Sequence, residues 1–343
     1  MAGPTGTFLV TLVYMRRSKL PANSSFAVLG LTLFSVLMFT GPAQAVTEGR
    51  GPAPKDTTQA LPYRMRLPIV MLHQSSLDWQ NRINRYRLSS KLPPVFYNAD
   101  WTYGAAAHAR YIVNTGTLLP YEDPLSGHYT PEGNLAANFS LQMGQTTQNF
   151  SDAQVIDFWL RSPFQALSML DPEWNQTGYG SYRAPGGLYQ TGAVLDVVRG
   201  YDPAPAVTYP IYWPGNGVAS NLKEYSGADN PDPLLFNNCP GSRGAPIILQ
   251  VGNGSNTVAF TTSTPTIVLF NGGPIYHCAF SATEFSIPND SDATSYGKQL
   301  LDQRDAVVII PTNPLANGSY TVTITLLVNN VQRTFTWSFT VVN

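Results

Sequence analysis

The sequence predicts an α+β N-terminal module followed by an all-β sandwich. Three features carry this expectation. Apolar residues recur at three- and four-residue steps up to about residue 170, the period changes to two after Pro172, and only short alternating runs follow from residue 246 onward.

The ends and the composition narrow the class of protein. Arg16, Arg17 and Lys19 precede an apolar run over 26–39, and Ala43-Gln44-Ala45 closes it as a cleavage site would, so 1–45 reads as an export signal. The run is shorter than the roughly 20 residues of a spanning helix and ends at Gly41-Pro42, which ranks an uncleaved anchor second. No later stretch is long and apolar enough to cross a bilayer, so a secreted or cell-surface location is expected. Charged residues make up 12% of the 343-residue chain, against a usual figure of about 25%, which suits a loop-rich exported protein. A net charge of -1 without a Lys/Arg cluster excludes nucleic acid as a partner. Cys239 and Cys278 are the chain's 2 cysteines; an oxidising compartment favours one disulfide between them over two buried thiols.

Along the mature chain, 46–66 is polar and broken by Pro and Gly, as a flexible leader would be. A first helix over 77–87 carries Leu77, Ile83 and Tyr86 and stops before Leu92-Pro93-Pro94. A second, with Asp100 as its cap, repeats Trp101, Ala105, Ala109, Ile112 and Val113 and ends at Gly116. A third starts in a capping box formed by Ser151 and Gln154, and Ser162-Pro163 opens a short fourth. Strands are expected around 178–182 and 188–197. Residues 201–241 hold many Pro, Gly and aromatic residues without a period and read as a connector. Beyond it, 246–251, 257–262, 266–270, 276–281, 306–310, 320–328 and 333–342 alternate as strands, with a hairpin turn at Asn329-Asn330. About seven strands in roughly 100 residues is the count of an immunoglobulin-like sandwich, placed at 242–343.

Five strings identify the N-terminal module more closely. They are Asn84-Arg85-Tyr86-Arg87 with Leu92-Pro93-Pro94, Ala105-Ala106-Ala107-His108-Ala109-Arg110-Tyr111, Tyr129-Thr130-Pro131-Glu132-Gly133-Asn134, Phe158-Trp159-Leu160-Arg161-Ser162-Pro163-Phe164, and Gly178-Tyr179-Gly180. In their order and spacing 67–200 resembles the bacterial branch of the CAP superfamily (cysteine-rich secretory, antigen 5, pathogenesis-related 1). The resemblance implies a three-layer α-β-α sandwich with an open cleft across the sheet. The C-terminal part resembles the immunoglobulin-like modules that some exported bacterial proteins append.

Many CAP domains hold two histidines and two acidic residues around the cleft, and some bind a divalent metal there. By resemblance Glu132 is the cleft glutamate, with Glu122, His128, Asn134 and Gln165 around the same cleft. Pro120 and Gln165 stand where related sequences would carry cleft histidines, and neither supplies a metal-binding nitrogen. A high-affinity zinc site, and hence a cofactor, is therefore not expected. His128, four residues before Glu132, reads either as that carboxylate's partner in the cleft or as a loop histidine bonded to backbone. His108 beside the apolar stripe reads as a hydrogen-bonded core residue ahead of a ligand. Asn84 and Arg87, also matching the family pattern, read as ties between loops and the first helix. Glu122 and Asp123 read as an exposed acidic turn ahead of a cleft pair. His73 and His277 read as structural or solvated. Ser140, Ser151 and Ser162 lack a Gly-x-Ser-x-Gly setting, which disfavours a hydrolytic triad. Most aromatics of the module are expected in the core, with a few left at a cleft rim for an apolar or sugar-bearing ligand. The readings that follow are a non-catalytic module binding a lipid, glycan, peptide or cell-envelope component, and, second, a metal-assisted hydrolase centred on Glu132 and His128.

Overall fold

Why the chain bends where it does is plainest at its first helix. In the computed structural model, which describes residues 78–202, 206–227, 229–235, 239, 241–261 and 266–343, α1 (Asp78–Ser89) buries Trp79, Ile83, Tyr86 and Arg87 on one face. The export signal, the leader, Leu77 and His73 lie outside the described residues. After β1 (Phe96–Tyr97) comes α2 (Ala99–Thr115). Its cap is Asn98, whose side chain accepts from the Trp101 amide, and Asp100 lies in the first turn instead of capping it. The helix ends at Gly116, whose φ of 67° is left-handed. Then follow α3 (Pro131–Ala137), β2 (Ser140–Gln145), α4 (Asp152–Leu160) and α5 (Pro163–Met169). The part closes with β3 (Trp174–Thr177), β4 (Tyr179–Arg183), β5 (Thr191–Asp196) and β6 (Gly200–Tyr201). Thr130 caps α3 with Pro131 at its first position, a helix the apolar period did not announce. Ser151 and Gln154 form the expected capping box on α4.

Strands β2, β5 and β4 pair antiparallel in that order, and β1, β3 and β6 make a second small sheet. Alternation along β5 divides the core. Ala193 and Leu195 pack with Trp79, Val155 and Trp159, while Val194 packs with Ala105, Ala109 and Ile112 of α2. α2 lies close on the sheet because a Cβ at Gly180 would overlap the Ala106 backbone, and one at Gly192 would overlap the Ala109 carbonyl.

The segment expected to be a connector contributes strands to both later sheets. β7 (Ile211–Trp213) adds to β9 (Ile247–Gln250), and β8 (Val218–Ser220) runs parallel to the chain's last strand. Further along are β10 (Val258–Phe260), β11 (Ile267–Phe270), β12 (Gly273–Pro274) and β13 (His277–Ser281). α6 (Ser291–Asp302), β14 (Ala306–Pro311), β15 (Gly318–Val328) and β16 (Val331–Val341) complete the chain. One sheet has the order β13-β14-β9-β7; the other has β12-β11-β15-β16-β8, with β10 also on β15. Asn329 and Asn330, at φ 52° and 63°, make the turn between β15 and β16, as a two-residue hairpin with both central residues left-handed requires. The helix α6 was not expected. Asp290 caps it, and Gly297, Leu300 and Leu301 are its buried face.

The two parts share one core. Phe164 of α5 stacks edge-on against Phe285 at 5.4 Å, and Tyr86 of α1 meets Trp213 of β7 at 5.4 Å. Gln250 donates to the Leu170 carbonyl, Arg304 pairs with Asp171 at 2.8 Å with both side chains almost fully buried, and Asp229 accepts from the Phe164 and Gln165 amides. Burial holds the Asp229 carboxyl well above the usual carboxylate range.

Cys239 and Cys278 are joined in a disulfide across 39 residues of chain. Opening a loop of that length is expected to lower stability by about 2–4 kcal/mol. Urea unfolding with and without reductant measures it; a midpoint indifferent to reductant would show that the bond does not constrain the unfolded chain.

Candidate functional site: the cleft beside the second helix

The outer face of α2 presents Tyr103, Ala106, Ala107 and Arg110, spaced i, i+3, i+4 and i+7 along one side. Across from it stand Gly127, His128, Tyr129 and Thr130, with Ser181 and Tyr182 of β4 closing one wall. Together they line an open cleft of about 460 Å³. Ser181 donates to Asp152, which also takes Tyr179 and Arg183, so this wall is held from behind.

The loop that forms the opposite wall is anchored by a buried polar cluster. His108 Nδ1 lies 3.0 Å from Glu122 Oε1, and both side chains are fully buried. His108 Nε2 lies 3.1 Å from Gln142 Oε1, and Gln142 Nε2 donates to the Ala137 carbonyl at 2.9 Å. That last bond orients the amide. It leaves only an acceptor facing His108 Nε2, which must therefore carry a proton. The other ring nitrogen is committed to the carboxyl of Glu122. His108 thus has no lone pair left for a metal or for accepting a substrate proton. The second Glu122 oxygen accepts from the Thr130 amide at 2.8 Å, while the Glu122 amide donates to Asn134 Oδ1 at 2.8 Å. Tyr111 stacks on His108 at 5.8 Å and accepts from the Asp123 amide. The buried contact between His108 and Glu122 therefore positions Thr130 and, with it, the neighbouring Tyr129 of the cleft wall.

The sequence-derived candidates separate in space. Glu122, expected in an exposed turn, is 2% exposed because His108, Thr130 and Asn134 enclose it; Asp123 beside it stays exposed. Glu132 is exposed in the first turn of α3 and does not line the cleft. His128 does line it, and its Nδ1 lies 3.4 Å from Asn114 Nδ2. Gln165 is fully buried on α5 beside Asp229, outside the cleft lining. Asn84 bonds to both the amide and the carbonyl of Val95, and Arg87 donates to four carbonyls, three of them buried. His277 is bonded to the Ile275 carbonyl, and burial lowers its pKa. Gln142, Tyr103, Arg110, Ser181 and Tyr182 were missed. The seven-residue spacing of Tyr103 and Arg110 along α2, away from the buried Ala105 and Ala109, was the available signal for these two.

The donor set does not suit the divalent ion that the family resemblance raises. Both nitrogens of His108 are engaged, and among the described residues no group of three or more His, Cys, Asp or Glu side chains converges. No helix among the described residues is long and apolar enough to cross a membrane.

Comparison with known proteins bears on this module. Among solved structures, the chain is similar to PcoC, a methionine-rich copper resistance protein from Escherichia coli. That match has 16% identity and a TM-score of 0.22, and covers 39% of this chain and 100% of that one. It is also similar to CopC from Methylosinus trichosporium OB3b, with 13% identity and a TM-score of 0.21, covering 39% and 93%. Scores that low carry no argument about this protein. No curated protein matches the chain. Residues 80–197, which hold α1 to α5 and the cleft, match the model of the family described as CAP: Cysteine-rich secretory protein family. Over those residues the chain is therefore similar to a CAP domain.

Proposed function

We propose that this is an exported CAP-domain protein of the bacterial type that binds a saccharide-bearing ligand of the cell envelope in the α2 cleft and does not catalyse a reaction on it. The observation that carries this reading is the cleft lining. Tyr103, Tyr129 and Tyr182 surround a floor made of Ala106 and Ala107, with no aliphatic side chain larger than alanine in the lining. Aromatic faces with hydroxyls suit the apolar faces and hydroxyls of a sugar ring, whereas an acyl chain calls for Leu, Ile and Val walls. The commitment of His108 to Glu122 and Gln142 removes the best-placed general base and metal ligand. The helical groups on either side of β5 support a three-layer reading of this domain, and the two later sheets support an immunoglobulin-like sandwich, here a rigid support sharing the core.

Titration calorimetry of the secreted chain with soluble envelope oligosaccharides and with a fatty acid tests the proposal. Sugar binding that weakens at least about tenfold in Tyr129→Ala is expected. Binding of the fatty acid alone would overturn the saccharide reading. Stoichiometric zinc together with a hydrolytic activity lost in Glu132→Ala would replace it with a hydrolase.

A further inference from the structure

We infer that the ligand of the cleft is an acidic saccharide and that Arg110 takes its carboxylate; this rests on the reading of the cleft as a saccharide site. Arg110 projects from α2 into the cleft, is exposed, and makes no ion pair or hydrogen bond among the described residues. Glu122, Asp152 and Asp123 have other partners. Glu122 is held by His108 and Thr130, and Arg183 and Asp152 hold each other at 2.7 Å on the far side of β4. Asp123 sits on the exposed loop, where its carboxylate accepts from the Leu125 amide. The lining itself contains no carboxylate, so its one permanent charge is the guanidinium, with His128 the remaining titratable imidazole.

Guanidinium and carboxylate match as a planar two-bond pair, which fixes the orientation of a ring that tyrosine faces would otherwise hold only loosely. Tyr103, Tyr129 and Tyr182 bring phenol hydroxyls to the same space, and none of the three has a hydrogen-bond partner among the described residues. A cleft of about 460 Å³ takes one or two sugar rings. Aromatic walls, unpaired hydroxyls and a single unpaired cation together describe a sugar carrying one acid group.

The test uses the secreted chain and short oligosaccharides of galacturonate, glucuronate or muramic acid, each beside its methyl ester, which keeps the ring and removes the charge. Calorimetry at low salt is expected to give at least one acid that binds about tenfold more tightly than its ester, with the gap closing at high salt. Arg110→Gln is expected to bring that ratio near one, and Arg110→Lys to keep part of it, with thermal midpoints unchanged because the side chain is exposed and unbonded. Equal affinity for acid and ester, or a ratio unaltered in Arg110→Gln, would overturn the acid assignment and leave the saccharide cleft standing. Failure of every acid and every ester to bind would remove both.

Discussion

Arg87→Met is expected to cost at least about 5 kcal/mol, a large fraction of the 5–15 kcal/mol that holds a typical protein together. The methionine stem fills much of the same space, so the loss is in hydrogen bonds. Arg87 is 1% exposed and donates to Pro93 at 2.9 Å, Met169 at 2.7 Å, Asp171 at 3.0 Å and Trp174 at 2.9 Å. These carbonyls lie after α1, at the end of α5 and at the start of β3. Without the guanidinium the buried Met169, Asp171 and Trp174 carbonyls and the part-buried Pro93 carbonyl each lose a partner. Burial pushes the Arg87 pKa down to about 10 against the attraction of Asp171, which leaves the side chain charged at neutral pH. Arg87→Lys is expected to recover little, since a single ammonium cannot reach carbonyls spread around a planar fork. Urea unfolding of the purified protein measures both; a shift under about 1 kcal/mol for Arg87→Met would show that these carbonyls find other partners.

Glu122→Ala should destabilise by about 1–3 kcal/mol, because it leaves a fully buried imidazole nitrogen without its hydrogen-bond partner. The effect has a second, local part. The Thr130 amide loses its acceptor, so hydrogen exchange at Thr130 should accelerate far more than exchange in β5. The saccharide affinity proposed for the cleft should fall with it, since Tyr129 is carried on the same loop. A double replacement, His108→Leu with Glu122→Leu, removes both members of the buried polar pair and is expected to be closer to wild type in stability than Glu122→Ala alone. If the single variant unfolds at the wild-type urea concentration and Thr130 exchange is unchanged, the pair is not what anchors the cleft wall.

Much of this architecture was legible along the chain. Ser151 and Gln154 announced α4, Gly116 the end of α2, and Asn329-Asn330 the last hairpin, since each is a local signal confined to a few residues. The misreadings were local too. Asn98 competed with Asp100 for the same cap, and Thr130-Pro131 opened a helix too short to show an apolar period. α6 hid behind a polar stretch whose buried face is little more than Gly297, Leu300 and Leu301. The segment before residue 241 showed no period because its strands are three residues long and belong to two different sheets.

By itself the sequence determined where most of the helices and strands lie and which of their faces are apolar, because those patterns follow from the geometry of neighbouring residues. Only the tertiary structure decided that Glu122, 14 positions from His108, would be buried against it, and that Gln142, 34 positions away, would complete the cluster. It also decided that Arg110 would stand in a cleft without an ion pair among the described residues, while Glu132 faced solvent. A carboxylate is exposed or buried, and a cation paired or free, according to which distant segments fold against it, and no local period records that.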